Sequence, residues 1–245
     1  MNDIILETNK IGSVEALKNT VPYLRITVLV PAMNEEKNLP HVLPMIPLTV
    51  DQVMLVDGLS TDRTNEVAKE LLPEIAIVKQ DGRGKGNAIR AGIKNAAGDI
   101  VVMIDADGSM DPKEIPALVE PLFHGYDFVK GSRFLKGAGT SDMQGYRQLA
   151  NRFFVSLVNI LYHGHYTDLC YGYCAFRRDA IQKLDLKSNG FEIETELNVK
   201  VLKAGLKVTE VPSFEKKRIY GVGKLQSWPD GWRILKTIFR LRFSN

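Results

Sequence analysis

Asp105 and Asp107 stand one residue apart, directly after the apolar run Val101-Val102-Met103-Ile104. Two carboxylates this close repel each other unless a cation lies between them. A hard divalent ion with oxygen ligands relieves that repulsion, usually with substrate phosphate oxygens completing its shell. The same two acids could also face water or cap the next helix. Upstream, Asp81-Gly82-Arg83-Gly84-Lys85-Gly86 supplies the opposite charge. Alternating glycines let backbone N–H groups approach an anion, and Arg83 and Lys85 add cations. A flexible surface turn is the alternative. The loop is not a Walker A loop, because no Ser or Thr follows its Gly-Lys. Nor is it a dinucleotide fingerprint, because Asn87 takes the third glycine position. Paired acids and a basic glycine loop together describe a diphosphate site, and a nucleotide fits it.

The elements needed to bring these residues together are also visible. Ile26–Val30 predicts a strand ended by Pro31, and Gln52–Val56 a second, ended by Asp57-Gly58. Ile75–Val78 predicts a third and the run before Asp105 a fourth. Between them lie helix candidates at Asn34–Met45 (interrupted by Pro40 and Pro44), Asn65–Leu71 with Ser60 or Thr61 as its cap, and Asn87–Ala97. This alternation predicts an α/β fold with a mostly parallel central sheet flanked by helices. Ligands bind at the carboxyl edge of such sheets. Asn34-Glu35, Asp57, and Asp105 with Asp107 should therefore share one cleft. Beyond Pro112 the pattern predicts a helix to Phe123, a strand at Asp127–Lys130, a loop from Gly131 to Gly145 and a helix over 146–162. After the stretch Thr167–Arg178 come a helix around Glu194–Ala204 and a strand at Lys207–Val211. The domain plan is a leader at 1–24, with a short helix capped by Ser13, one catalytic-type domain at 25–226, and an amphipathic basic helix at 227–245.

Four motifs in order resemble family-2 glycosyltransferases: Val30-Pro31-Ala32-Met33-Asn34-Glu35, Val56-Asp57-Gly58-Leu59-Ser60-Thr61-Asp62-Arg63-Thr64, Gly84-Lys85-Gly86-Asn87-Ala88 and Asp105-Ala106-Asp107. The resemblance, over roughly residues 25 to 225, implies the GT-A fold and a nucleotide-sugar donor, UDP- or GDP-hexose. It implies that Pro31, Asn34, Glu35 and Asp57 hold the nucleoside, with Asp57 on the base. It places Lys85 by the nucleotide, and Asp105 and Asp107 on Mg²⁺ or Mn²⁺ at the diphosphate. Many relatives carry a second Asp where this chain has Gly58. Further on, Gly131-Ser132-Arg133-Phe134, Arg147, Asp168 with Gly172, and Arg218-Ile219-Tyr220-Gly221 with Lys224-Leu225 resemble the polyprenyl-phosphate (dolichyl-phosphate type) hexosyltransferases. That group implies Arg133, Arg147 and Arg218 as phosphate-binding arginines and Lys224 at the donor. Leu169, Cys170 and Tyr171 depart from the small polar residues usual there.

An inverting transfer to a sugar hydroxyl needs a general base, and Asp168, Glu192, Glu194 and Glu196 are available. A lipid monophosphate is already mostly a dianion at pH 7 and needs none. Catalytic candidates are accordingly Asp107, Asp168, Glu194, Arg147 and Arg218. From Pro229 onward a helix gathers Trp232, Leu235, Phe239, Ile234 and Ile238 on one wide arc, beside Arg233, Lys236 and Arg240. Such a helix either lies on an anionic membrane or packs on the protein's own core.

The 245-residue chain has a net charge of +3, too mild to argue for nucleic acid. No apolar stretch is long enough to span a bilayer, and the N-terminus lacks the form of a signal peptide. The two cysteines, Cys170 and Cys174, form no disulfide framework and, with His163 and His165, match no common zinc spacing. The expectation is a cytoplasmic protein that touches the cytoplasmic membrane face peripherally. It would be a metal-dependent inverting hexosyltransferase using a lipid-phosphate acceptor. The alternatives are transfer to a saccharide or small-molecule hydroxyl, a nucleotidyltransferase (which would need a glycine-rich loop near the first strand), and a catalytically silent nucleotide-binding module.

Overall fold

The computed structural model describes residues 24–243. The leader with its Ser13-capped helix lies outside them, apart from Leu24. Seven strands form one sheet: β1 (Ile26–Ala32), β2 (Gln52–Asp57), β3 (Ala76–Lys79), β4 (Ile100–Met103), β5 (Phe128–Ser132), β7 (Cys174–Arg177) and β8 (Val208–Pro212). Their order is β3-β2-β1-β4-β7-β5-β8. The first four are mutually parallel, β7 runs antiparallel between β4 and β5, and β8 is parallel to β5. Two short strands, β6 (Gly139–Thr140) and β9 (Phe214–Glu215), pair separately.

Burial on both faces explains the continuous apolar runs of the central strands. On β1, Ile26, Val28 and Val30 enter one core with Leu39, Leu118 and Leu122, while Leu29 enters the opposite core with Ile89, Phe154 and Leu197. The sequence pattern predicts a strand ended by Pro31, yet β1 continues through it to Ala32. Its ladder to β4 stops at Leu29, so the proline's missing N–H breaks no pairing on that side.

The helices are α1 (Leu39–Val42), α2 (Thr64–Leu71), α3 (Lys85–Asn95), α4 (Ile115–Phe123), α5 (Gly145–Tyr162), α6 (Arg178–Ile181), α7 (Ile193–Lys203) and α8 (Ser227–Phe243). The expected caps of α2 do other work. Ser60 Oγ accepts from Asn34 N at 3.0 Å and Thr61 N donates to Asn34 Oδ1 at 2.8 Å, tying together the loops after β1 and β2. Thr64 N is instead satisfied by Asp62 Oδ1 at 3.0 Å. β7 falls in the stretch Thr167–Arg178, to which the sequence assigned no element.

Strand direction decides where the chemistry gathers. β1, β2, β4, β5 and β8 end on one edge, and the antiparallel β7 begins there. Met33, Glu35, Gly58, Asp105–Asp107, Arg133, Cys170–Gly172 and Glu215 consequently line a single cleft, while Asn34 stays outside its wall. Among the described residues no helix is long and apolar enough to cross a membrane.

Candidate active site

The cleft encloses about 670 Å³, within the size range of small-molecule sites. Asp105 and Asp107 both line it, as the sequence predicted. Lys85, the first residue of α3, reaches Asp105 Oδ1 at 2.7 Å and Glu194 Oε1 at 2.7 Å. Burial pushes the Asp105 carboxyl up to about 6, and Asp107 and Glu194 add to that rise against the pull of Lys85. Burial would lower the Lys85 ammonium, but Asp105 and Glu194 outweigh it and hold the proton on well above the usual lysine range. Gly172 closes this triad from behind: a Cβ there would lie 2.9 Å from Glu194 Oε1 and 3.0 Å from Lys85 Nζ.

Asp107 is held differently. Its Oδ1 accepts from Ser109 N at 3.0 Å and Ser109 Oγ at 2.7 Å, and its Oδ2 accepts from Arg218 Nη1 at 3.2 Å. Arg218 Nη2 also lies 2.5 Å from both oxygens of Glu35. Lys224 donates to the Met33 carbonyl and approaches Glu35 at 3.8 Å. Among the described residues no cluster of three carboxylate, histidine or cysteine side chains could hold a metal alone. Two cleft-facing carboxylates are a partial set of hard oxygen donors. They fit a divalent ion whose remaining ligands are phosphate and water oxygens.

Several expected site residues turn out to be engaged in the fold. Arg133 is 4% exposed, and its Nε and Nη2 grip Asp168 at 2.7 and 2.9 Å. Its Nη1 meets Glu215 Oε2 at 3.0 Å, Nη2 also donates to the Cys170 carbonyl, and the guanidinium lies over the Tyr171 ring. Asp168 is fully buried and is not part of the cleft wall. Asp57 is buried and accepts from Ser60 N at 2.9 Å, so its neighbour Gly58 is what lines the cleft. Asn34 adopts a left-handed backbone and binds Thr61. Glu192 and Glu196 lie outside the cleft wall, and Glu196 accepts from the backbone of Lys187 and Ser188.

The glycine loop also has another cause. A Cβ on Gly84, which has φ of 93°, would drive into the Asn189 carbonyl, and one on Gly86 into that of Ser188. Gly86 N donates to Asn189 O at 2.7 Å. The glycines let α3 seat against segment 188–190, which brings Lys85 to Glu194. Arg83 is exposed and outside the cleft wall.

At the other end of the cleft, Arg147, in the first turn of α5, is half-buried and forms no ion pair among the described residues. The sequence did not single out Phe191, Glu215, Lys217 or Asp142, all of which line the wall, and it marked Tyr171, which lines it too, only as a departure from the usual motif. Only distant folding contacts bring them there.

A mostly parallel sheet with acids at its carboxyl edge and one antiparallel strand inserted between β4 and β5 is the GT-A fold. Consistent with this, the glucosyl-3-phosphoglycerate synthase of Mycobacterium tuberculosis, solved with Mn²⁺, uridine diphosphate and glucosyl-3-phosphoglycerate, superposes with a TM-score of 0.73. It shares 24% identity over 94% of this chain and 83% of its own. Residues 27–185 match the glycosyl transferase family 2 pattern, and the chain belongs to that family. It is 30% identical over 227 residues to a dolichol-phosphate mannosyltransferase of Pyrococcus furiosus, covering 89% of this chain but 64% of that protein's length. It is also 30% identical over 238 residues to a polyprenol monophosphomannose synthase of Mycolicibacterium smegmatis, covering 90% of this chain and 86% of the relative.

Proposed function

We propose that the protein is a metal-dependent inverting hexosyltransferase that moves a hexose from a UDP- or GDP-sugar to a polyprenyl-phosphate type lipid. The observation that carries the acceptor class is the pairing of acids in the cleft. Glu35, Asp105, Asp107, Glu194 and Glu215 each face a Lys or Arg, and Asp168 is buried against Arg133. A neutral hydroxyl acceptor requires a carboxylate able to take its proton. A phosphate monoester is already ionised and requires a cation to receive it, which Arg147 offers.

In the reaction, the acceptor oxygen attacks the anomeric carbon in line as the nucleoside diphosphate departs. A divalent ion bound at Asp105 and Asp107 would offset the charge growing on that diphosphate. Lys85, kept protonated by Asp105 and Glu194, and Arg218 supply further positive charge beside it. The names of the relatives support a phosphorylated polyprenol as acceptor and make mannose the first sugar to try.

The surface supports a lipid acceptor as well. α5 and α8 lie side by side, bonded at Tyr146–Ser227 (3.1 Å) and Tyr162–Ile238 (2.5 Å). Asp230, Ile234, Ile238 and Leu241 bury one face of α8 in the core. Trp228, Trp232, Phe239 and Phe243, at spacings of four, seven and four, stay exposed on the opposite face. On α5, Tyr146, Leu149, Phe153 and Ile160 form a second exposed stripe. Basic residues Arg233, Lys236, Arg240 and Arg242 flank the aromatic one, the composition of a helix lying on an anionic bilayer. Arg147 joins this platform to the cleft.

Asp142 favours a second reading, transfer to a sugar hydroxyl. It lies at the exposed rim of the cleft without a cationic partner among the described residues. Arg147→Ala and Asp142→Asn separate the two readings in an assay of labelled sugar transfer. A phosphate acceptor predicts at least about a tenfold rise in acceptor KM for Arg147→Ala, the loss of one charged hydrogen-bonding group. It predicts little change for Asp142→Asn, and the hydroxyl reading predicts the reverse.

A further inference from the structure

Arg218 neutralises one of the two carboxylates placed to receive a cation. It bridges Glu35 and Asp107, with Nη2 at 2.5 Å and Nη1 at 3.2 Å, while Nε donates to the Tyr220 carbonyl at 2.6 Å. The backbone fixes the segment that carries it across the ends of β1 and β4. Lys216 N donates to Ser109 O at 2.8 Å, Ile219 N to Asp107 O at 3.2 Å and Tyr220 N to Asn38 Oδ1 at 2.9 Å. Ile219 occupies the space beside Gly108, 2.5 Å from where a Cβ would stand. The guanidinium is thus delivered to Asp107 by a strap anchored on both sides.

The local charges make this contact consequential. Glu35, Asp105, Asp107 and Glu194 face Lys85, Arg218 and Lys224. A divalent ion arriving alone must displace Arg218 from Asp107 and strand a second cation beside itself. A diphosphate arriving alone brings negative charge to four carboxylates. Arriving together, the two nearly cancel, and the diphosphate gives Arg218 a forked partner in place of Asp107.

We propose that Arg218 is a charge-exchange residue: it holds Asp107 until a nucleoside diphosphate draws it away and frees that carboxylate for the cation. Cation and nucleotide then enter as a coupled pair, each raising the other's affinity by the same factor. The exchange rests on the nucleotide-sugar reading above and adds to it an order of binding set by one side chain.

Calorimetric titration of Mn²⁺ into the 245-residue chain, with and without UDP or GDP, tests this on wild type, Arg218→Gln and Lys224→Gln. Lys224 approaches Glu35 and not Asp107, so its variant removes one positive charge from the cleft while leaving the Arg218–Asp107 contact in place. For wild type, the nucleotide should tighten Mn²⁺ binding by about tenfold or more. Arg218→Gln should bind Mn²⁺ alone about tenfold more tightly than wild type, and the nucleotide's effect should shrink to the part that phosphate coordination of the ion supplies. Lys224→Gln should show a much smaller gain. Unchanged Mn²⁺ binding by Arg218→Gln, or equal gains in both variants, overturns the exchange and leaves the donor reading intact. Nucleotide-independent Mn²⁺ binding by wild type overturns it without recourse to any variant. Failure of wild type to bind UDP or GDP with Mn²⁺ overturns the donor reading, and the exchange with it.

Discussion

Arg133 and Asp168 hold each other in a fork, Nε to Oδ2 at 2.7 Å and Nη2 to Oδ1 at 2.9 Å, with the two side chains 2% and 0% exposed. The pair fastens the end of β5 to the segment leading into β7, so it fixes that part of the cleft wall. Breaking a buried pair leaves one charge without compensation. Arg133→Ala and Asp168→Ala should each lower unfolding stability by about 3–5 kcal/mol in urea titration. Arg133→Lys should recover little, since an ammonium cannot reproduce the fork.

The same pair sets an acid limit. Burial alone would raise the Asp168 carboxyl, but hydrogen bonds and charge from Arg133 outweigh it and hold it below its ordinary value of 3.8. A depressed folded-state value means that its stabilisation is complete above about pH 4 and is lost as pH falls further. Wild type should therefore lose stability more steeply below pH 4 than an Asp168→Asn, Arg133→Met double variant. Parallel acid profiles would contradict this.

Glu194 touches Lys85, and that contact defines its role. If it positions the ammonium, Glu194→Gln lowers kcat while the pH–rate profile keeps its shape. If it is the general base, the acidic limb of the profile disappears. The geometry predicts the first outcome. Gly172→Ala should disturb the same triad, lowering kcat with donor KM less affected.

Both thiols should be inert in the folded protein. Burial pushes Cys170 and Cys174 up to about 12, so almost no thiolate exists at pH 8. A chromogenic disulfide reagent should react with both residues only after denaturation, even though Cys170 lines the cleft.

The aromatic platform predicts separable binding and folding. Trp232 and Phe153 are 58% and 56% exposed. Trp232→Asp combined with Phe153→Asp should abolish co-sedimentation with anionic vesicles. Tm should stay within a few degrees of wild type, because exposed positions seldom matter to stability.

The carboxyl edge of the sheet was legible because parallel strands buried on both faces leave long apolar runs, and Asp105 interrupts one of them. β7 was not, since its four residues lack alternation and a short buried run reads equally as loop. The roles of Arg133 and Asp168 were hidden for a different reason. The resemblance marked both as site residues, but only their meeting across 35 positions shows that they engage each other. The glycines at 84 and 86 pointed to anion binding, whereas a backbone segment a hundred residues later explains them. On the C-terminal helix, Ile234 and Ile238 were grouped with Trp232 and Phe239 on one arc. The core takes the first two and leaves the others outside.

Transfer of labelled hexose from UDP- or GDP-sugar in the presence of Mn²⁺, offered polyprenyl monophosphate or the dephosphorylated polyprenol, tests the central claim most directly. Label should pass to the phosphate and not to the alcohol, with the rate lost on chelation. Transfer to the alcohol or to a soluble saccharide with the phosphate refused would contradict the account.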